Sequence, residues 1–66
     1  MNVMKLKGKM REMGMTQQSL ARQINIDKST LSRRLKDGND FTIEEVNKIT
    51  YALKLSDSEA TEIFLH

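Results

Sequence analysis

The chain has 66 residues, no cysteine, a net charge of +2, and a single histidine, His66, at its last position. That composition excludes a disulfide framework and a thiolate metal site, and it leaves no Ser/His or Cys/His pair with a third member for nucleophilic catalysis. No run approaches the roughly 18 apolar residues of a membrane span, and the basic N-terminus has no apolar signal core. A single cytoplasmic domain over residues 1–66 is expected, with no enzyme activity, metal, cofactor or small-molecule ligand.

The small net charge conceals an asymmetry. Residues 1–38 carry nine Lys and Arg against three acids, a balance of +6, whereas residues 39–66 carry two against six, a balance of −4. Such a division suits a molecule with one side for a polyanion and another kept away from it.

The absence of proline and five amphipathic segments predict an all-α domain. Val3, Leu6, Met10 and Met13 recur at helical spacing on one face of a first helix, which Gly14 ends in the left-handed conformation. A second helix runs from Gln17 to about Ile24 with Thr16 as N-cap; Met15 packs on Leu20 as a hydrophobic staple. A third opens at Asp27 and runs to about Lys36 or Asp37, with Leu31 and Leu35 inward, a staple from Ile26 to Leu31, and Gly38 as its stop. Thr42 and Glu45 form a capping box for a fourth helix, stapled by Phe41 and Val46, with Ile43, Val46, Ile49 and Leu53 as its buried stripe. Ser56 and Glu59 form a second capping box for a fifth helix carrying Ala60, Ile63 and Phe64. Each cap stabilises its helix by about 1 kcal/mol.

Residues 16–35 hold the informative pattern. Two short helices meet at a sharp turn, with Ala21 small at the point of close approach. Asn25 stands where a positive φ is needed, which Asn tolerates better than other non-glycine residues. The outer face of the third helix offers Lys28, Ser29, Ser32 and Arg33, all able to bond base edges or phosphates. Residues 28–36 contain no acid, unlike an ordinary solvated helix face.

The run Thr16-Gln17-x-x-Leu20-Ala21, the turn, and Ser29-Thr30-Leu31-Ser32-Arg33 resemble the phage Cro and repressor class of helix-turn-helix proteins (the XRE-like family). The resemblance spans nearly the whole chain and implies a five-helix, lambda-repressor-like DNA-binding domain. Two positions depart from the family pattern. Asn25 replaces the usual turn glycine, and Arg34 stands three residues after Leu31, where an apolar residue is usual.

The resemblance implies that the third helix enters the major groove of operator DNA. Lys28, Ser29, Ser32 and Arg33 are then the base-reading candidates, with Arg33 best suited to a bidentate contact with guanine. Gln17 matches the family's phosphate-contacting glutamine, and the second helix start around Thr16 adds free N–H groups. Arg11, Thr30, Arg34, Lys36 and Asn39 are further phosphate candidates. The resemblance also implies a symmetric homodimer on a palindromic site. Ile63, Phe64 and Leu65 fit that role, because one helix face can bury two of them and leaves the third hard to hide.

The expected activity is therefore a Cro-like or minimal phage or prophage repressor, with no second oligomerisation or cleavage domain expected. A different use of the same fold is a protein-interaction module, such as an antirepressor or antitoxin, working through the acidic C-terminal half. Phe41, Tyr51 and Phe64, the only aromatics, provide no stacking platform for single strands, and Tyr51 lies off the buried stripe.

Overall fold

Four of the five helices among the described residues begin where a side chain takes up a free N–H group of the first turn. The computed structural model describes residues 1–38 and 41–65. Among them are α1 (Val3–Glu12), α2 (Gln17–Gln23), α3 (Lys28–Asp37), α4 (Ile43–Ala52) and α5 (Asp57–Phe64), with no strand. Thr42 with Glu45 and Ser56 with Glu59 form the expected capping boxes. Thr16 forms a third with Ser19, and the Asn2 side chain accepts from the Lys5 N–H at 3.1 Å; neither was anticipated. Asp27 has the extended backbone of an N-cap, but its carboxylate accepts no capping bond. Its charge still lies beside the positive end of α3.

Three of the links between helices share one form: Met13-Gly14-Met15-Thr16, Ile24-Asn25-Ile26-Asp27 and Leu53-Lys54-Leu55-Ser56. The second residue of each is left-handed, at φ 68, 60 and 53 respectively. The third residue then donates its N–H five residues back: Met15 to the Met10 carbonyl (2.8 Å), Ile26 to Ala21 (3.0 Å) and Leu55 to Thr50 (3.0 Å). This closes the preceding helix, turns an apolar side chain inward, and leaves the fourth residue to open the next helix. Gly14 and Asn25 suit the left-handed position. Lys54 does not, and that conformation costs a side-chain-bearing residue about 1–2 kcal/mol.

The core gathers residues from all five helices, with Leu6, Leu20, Ile24, Leu31, Ile49, Leu53 and Ile63 fully buried. Truncating one such leucine to alanine costs about 2–5 kcal/mol, a large share of the stability of a domain this small. The helix α2 packs on both α3 and α4, while α1 packs on α5. The Asn2 N–H ties the chain start to the Ile63 carbonyl at 2.7 Å.

Two residues expected in the core lie outside it. Met13 is 37% exposed because α1 ends at Glu12, and Met13 leaves the helical path as its C-cap. Ile43 is 82% exposed. Six residues before Ile49, it lies about 120° around the helix from that buried side chain, and Phe41 takes the core position instead.

The charge asymmetry also needs correction, because the acidic half does not stand apart from the basic half. Lys9 of α1 pairs with Glu59 of α5 at 2.8 Å, and Lys5 pairs with Glu62. Glu59 thus serves twice, accepting the Ser56 N–H within its capping box and the Lys9 ammonium across the interface. The Lys9 bond, with help from the Ser56 N–H, holds the Glu59 carboxyl at about 2 instead of 4.5. A depressed carboxyl pKa gives stability that is complete above the unfolded value and lost as pH falls through the folded one. The melting temperature is therefore expected to fall on acidification from pH 4.5 toward 2. Glu59→Gln should melt lower at neutral pH and show a shallower decline across that window by circular dichroism. A wild-type midpoint that stays flat there would contradict this role.

Candidate nucleic-acid interface

Leu31 and Leu35 anchor α3 in the core against α2, whose Leu20 and Ala21 are buried at the crossing. At about 100° per residue, this orientation turns the polar stripe of α3 away from the core. Lys28, Ser29, Arg33 and Lys36 are exposed, and Ser32 is half-buried on the edge nearest the start of α2. There Ser32 Oγ donates to Gln17 Oε1 at 2.6 Å.

An open cleft beside this bond is lined by Lys7, Gln17, Ser32, Arg33, Leu35 and Lys36. A second hollow, lined by Lys7, Met10, Arg11, Met15 and Gln17, continues it along α1. Three helices therefore contribute to one basic surface. Sequence reasoning did not single out Lys7, which lines both hollows. The available signal was its position one turn before Arg11 and off the Leu6–Met10 face.

The cations of this surface differ in pairing from most of the others. Among the described residues, Lys7, Arg11, Lys28, Arg33 and Lys36 form no ion pair, nor do Arg22 and Lys54 elsewhere on the protein, whereas Lys5, Lys9, Arg34 and Lys48 do. Unpaired cations on one face are available to phosphates without a bond having to break first.

The remaining candidates are placed differently. The Thr16 hydroxyl is held in its capping box, accepting from the Ser19 N–H at 3.0 Å. Thr30 lies on the other flank of α3, in a recess with Ala21, Arg22, Asn25, Ile26 and Asp27. Arg34 bonds the Glu45 carboxylate and lies over the Phe41 ring, 5.4 Å from its centroid. Its stem and head thus cover the core at the position where the family pattern has an apolar residue. Burial alone would push the Glu45 carboxyl up, but the Thr42 N–H and the Arg34 guanidinium together hold it below the usual value. Asn39 lies outside the described residues.

At the C-terminus, Ile63 is wholly buried in the protomer's own core, Phe64 is half-buried and Leu65 is 80% exposed. Phe64 meets Phe41 edge-on, with ring centroids 6.3 Å apart. Met1, Ile43, Val46 and Leu65 join these two rings around an apolar hollow. Tyr51, 87% exposed, lies apart from that hollow and from the basic cleft. Among the described residues, no group of three or more acids is placed to hold a metal, and no helix is long and apolar enough to cross a membrane.

Two short helices locked by a left-handed turn, the second showing a basic outer stripe, make a helix-turn-helix, a device that sets one helix against duplex DNA. The chain belongs to the Cro/C1-type HTH DNA-binding domain family, whose model matches residues 5–63. Comparison with curated proteins and with solved structures gave no match. The protein is thus a DNA-binding protein of the regulator type.

If Lys7 neutralises a phosphate, Lys7→Ala should weaken binding to all duplexes alike and reduce the log–log salt slope by about 1. Lys5→Ala, which removes a cation already paired with Glu62, should leave that slope unchanged. Equal effects of the two substitutions in a salt titration would refute the distinction between free and paired cations.

Proposed function

We propose that the protein is a sequence-specific transcriptional repressor, Cro-like or of the minimal phage type, which binds an operator as a symmetric homodimer and excludes RNA polymerase. The observation carrying this reading is the surface built from α1, α2 and α3, where every cation is free of ion pairs among the described residues. Arg33, exposed at the centre of the α3 stripe, is assigned to a guanine, reading O6 and N7 bidentately for about 1–3 kcal/mol of discrimination. Lys28, Ser29 and Ser32 read neighbouring bases. Gln17, Arg11, Lys36 and Lys7 hold phosphates on either side, with the Thr16 end of α2 close by. Arg34 serves the fold, because Glu45 and Phe41 already hold its head. Thr30 borders the opposite flank.

One α3 helix carries only four base-reading residues, too few to define a unique site. A second copy doubles the reading, with the two recognition helices about 34 Å apart on one face of the duplex. We assign the contact between copies to Leu65 and Phe64, with Ile43 beside them, since these large apolar groups would otherwise face water. Ile63 supports that surface from within the core. The protein acts in the cytoplasm.

Selection of duplexes from a random pool should enrich a palindrome. Arg33→Ala should lose discrimination at one position of each half-site by roughly tenfold or more. Sedimentation of the complex should give two protomers per duplex for the wild type and a much weaker assembly for Leu65→Asp. Binding without an enriched site and indifferent to Arg33 would overturn the repressor reading and point to a protein partner of the C-terminal half.

A further inference from the structure

We infer that Ser32 reads its base as a hydrogen-bond acceptor only, because Gln17 holds its single proton; the inference rests on the DNA reading above. A serine hydroxyl carries one donor proton and two lone pairs. Free to rotate, it meets a donor or an acceptor equally well and discriminates little. Here the Ser32 Oγ–H is directed to Gln17 Oε1 at 2.6 Å, within the normal range for a strong O–H···O bond. The proton is therefore committed within the protein before any ligand arrives.

Both partners are held in place. Gln17 is the first residue of α2, directly behind the capped Thr16. Ser32 lies one residue after the fully buried Leu31 and three before Leu35. Neither helix can shift without disturbing the core. What remains to Ser32 on its open side, among Lys7, Gln17, Arg33 and Lys36, is its lone pairs. In the major groove the base-edge donors are adenine N6–H2 and cytosine N4–H2, whereas guanine O6 and N7 and thymine O4 accept. The base facing Ser32 is thus adenine or cytosine in preference to guanine or thymine.

The same bond orients Gln17. With Oε1 turned to Ser32, the amide has both Nε2 protons left for a phosphate oxygen. One hydrogen bond thereby couples the docking of the backbone to the choice of base. The sequence pattern suggested two separate residues with separate roles.

Binding-site profiles of the wild type, Ser32→Ala, Gln17→Ala and Gln17→Glu, each checked for folding by thermal melting, test this. The wild type should favour adenine or cytosine at one half-site position, and Ser32→Ala should flatten that position alone. Gln17→Ala releases the Ser32 proton and should admit guanine and thymine there, reducing the preference severalfold. Gln17→Glu still accepts from Ser32 but repels phosphate, so it should keep the preference while lowering affinity for every sequence. A residue that merely supported the fold would not separate affinity from base preference in this way. The inference is overturned if the Ser32-dependent position favours guanine or thymine, if no position depends on Ser32, or if Gln17→Ala weakens all sites equally with the preference intact. A wild type that enriches no site at all overturns the DNA reading, and this inference with it; an enriched site with any of the former results overturns this inference alone.

Discussion

Asn25 stands at φ 60, and the Ile26 N–H beyond it bonds the Ala21 carbonyl at 3.0 Å. That turn sets where α3 can go. Ala21, 2% exposed, places a small side chain at the crossing, while Leu20, Ile24 and Leu31 are fully buried beside it. Once α2 and α3 are locked, Gln17 falls beside Ser32, and both fall beside Lys7 and Arg33. The basic surface is therefore a consequence of backbone geometry at one link and burial at a few leucines. The cations of that surface, Lys7, Arg11, Lys28, Arg33 and Lys36, lie outside the core and in no ion pair among the described residues, which leaves open to variation what the surface reads.

Several charged residues outside that surface have structural roles. Glu59 caps α5 and binds Lys9; Glu45 caps α4 and binds Arg34. Each glutamate closes the first turn of its own helix while fastening that helix to another. A salt bridge on a surface is worth little alone, but here the carboxylate is already fixed by its cap, so less side-chain freedom is lost in forming the ion pair. This division of labour explains why a chain of net charge +2 can present a strongly basic face: the acids neutralise the lysines of α1 that face α5 and leave Lys7 and Arg11 free.

Most of the fold was legible in the sequence because its signals are local. Thr16, Thr42 and Ser56 announce helix starts, and Gly14, Asn25 and Gly38 announce helix ends. The repeated link of a left-handed residue, an apolar residue and a cap was only partly legible, because Lys54 is a poor left-handed residue and no propensity points to it. Ile43 misled because an apolar residue three before Val46 fits a helical stripe, yet the stripe drifts around the helix over two such steps. The site was legible along α3, where spacing alone turns Lys28, Ser29, Ser32 and Arg33 from the core. Lys7 and the Gln17–Ser32 bond were not, because each depends on which helices meet. The place of Arg34 depended on Glu45, eleven residues away on the next helix, a distance that no local pattern spans.

The central claim is that α1, α2 and α3 together form one DNA-facing surface and that the α4–α5 side stays away from it. Amide chemical-shift mapping of the labelled protein, titrated with its selected duplex, tests this most directly. The account predicts the largest shifts at residues 16–19 and 28–36 and around Lys7 and Arg11, with little change around Ser56 and Glu59. Shifts confined to residues 43–46 and 60–65, with α3 undisturbed, would contradict it.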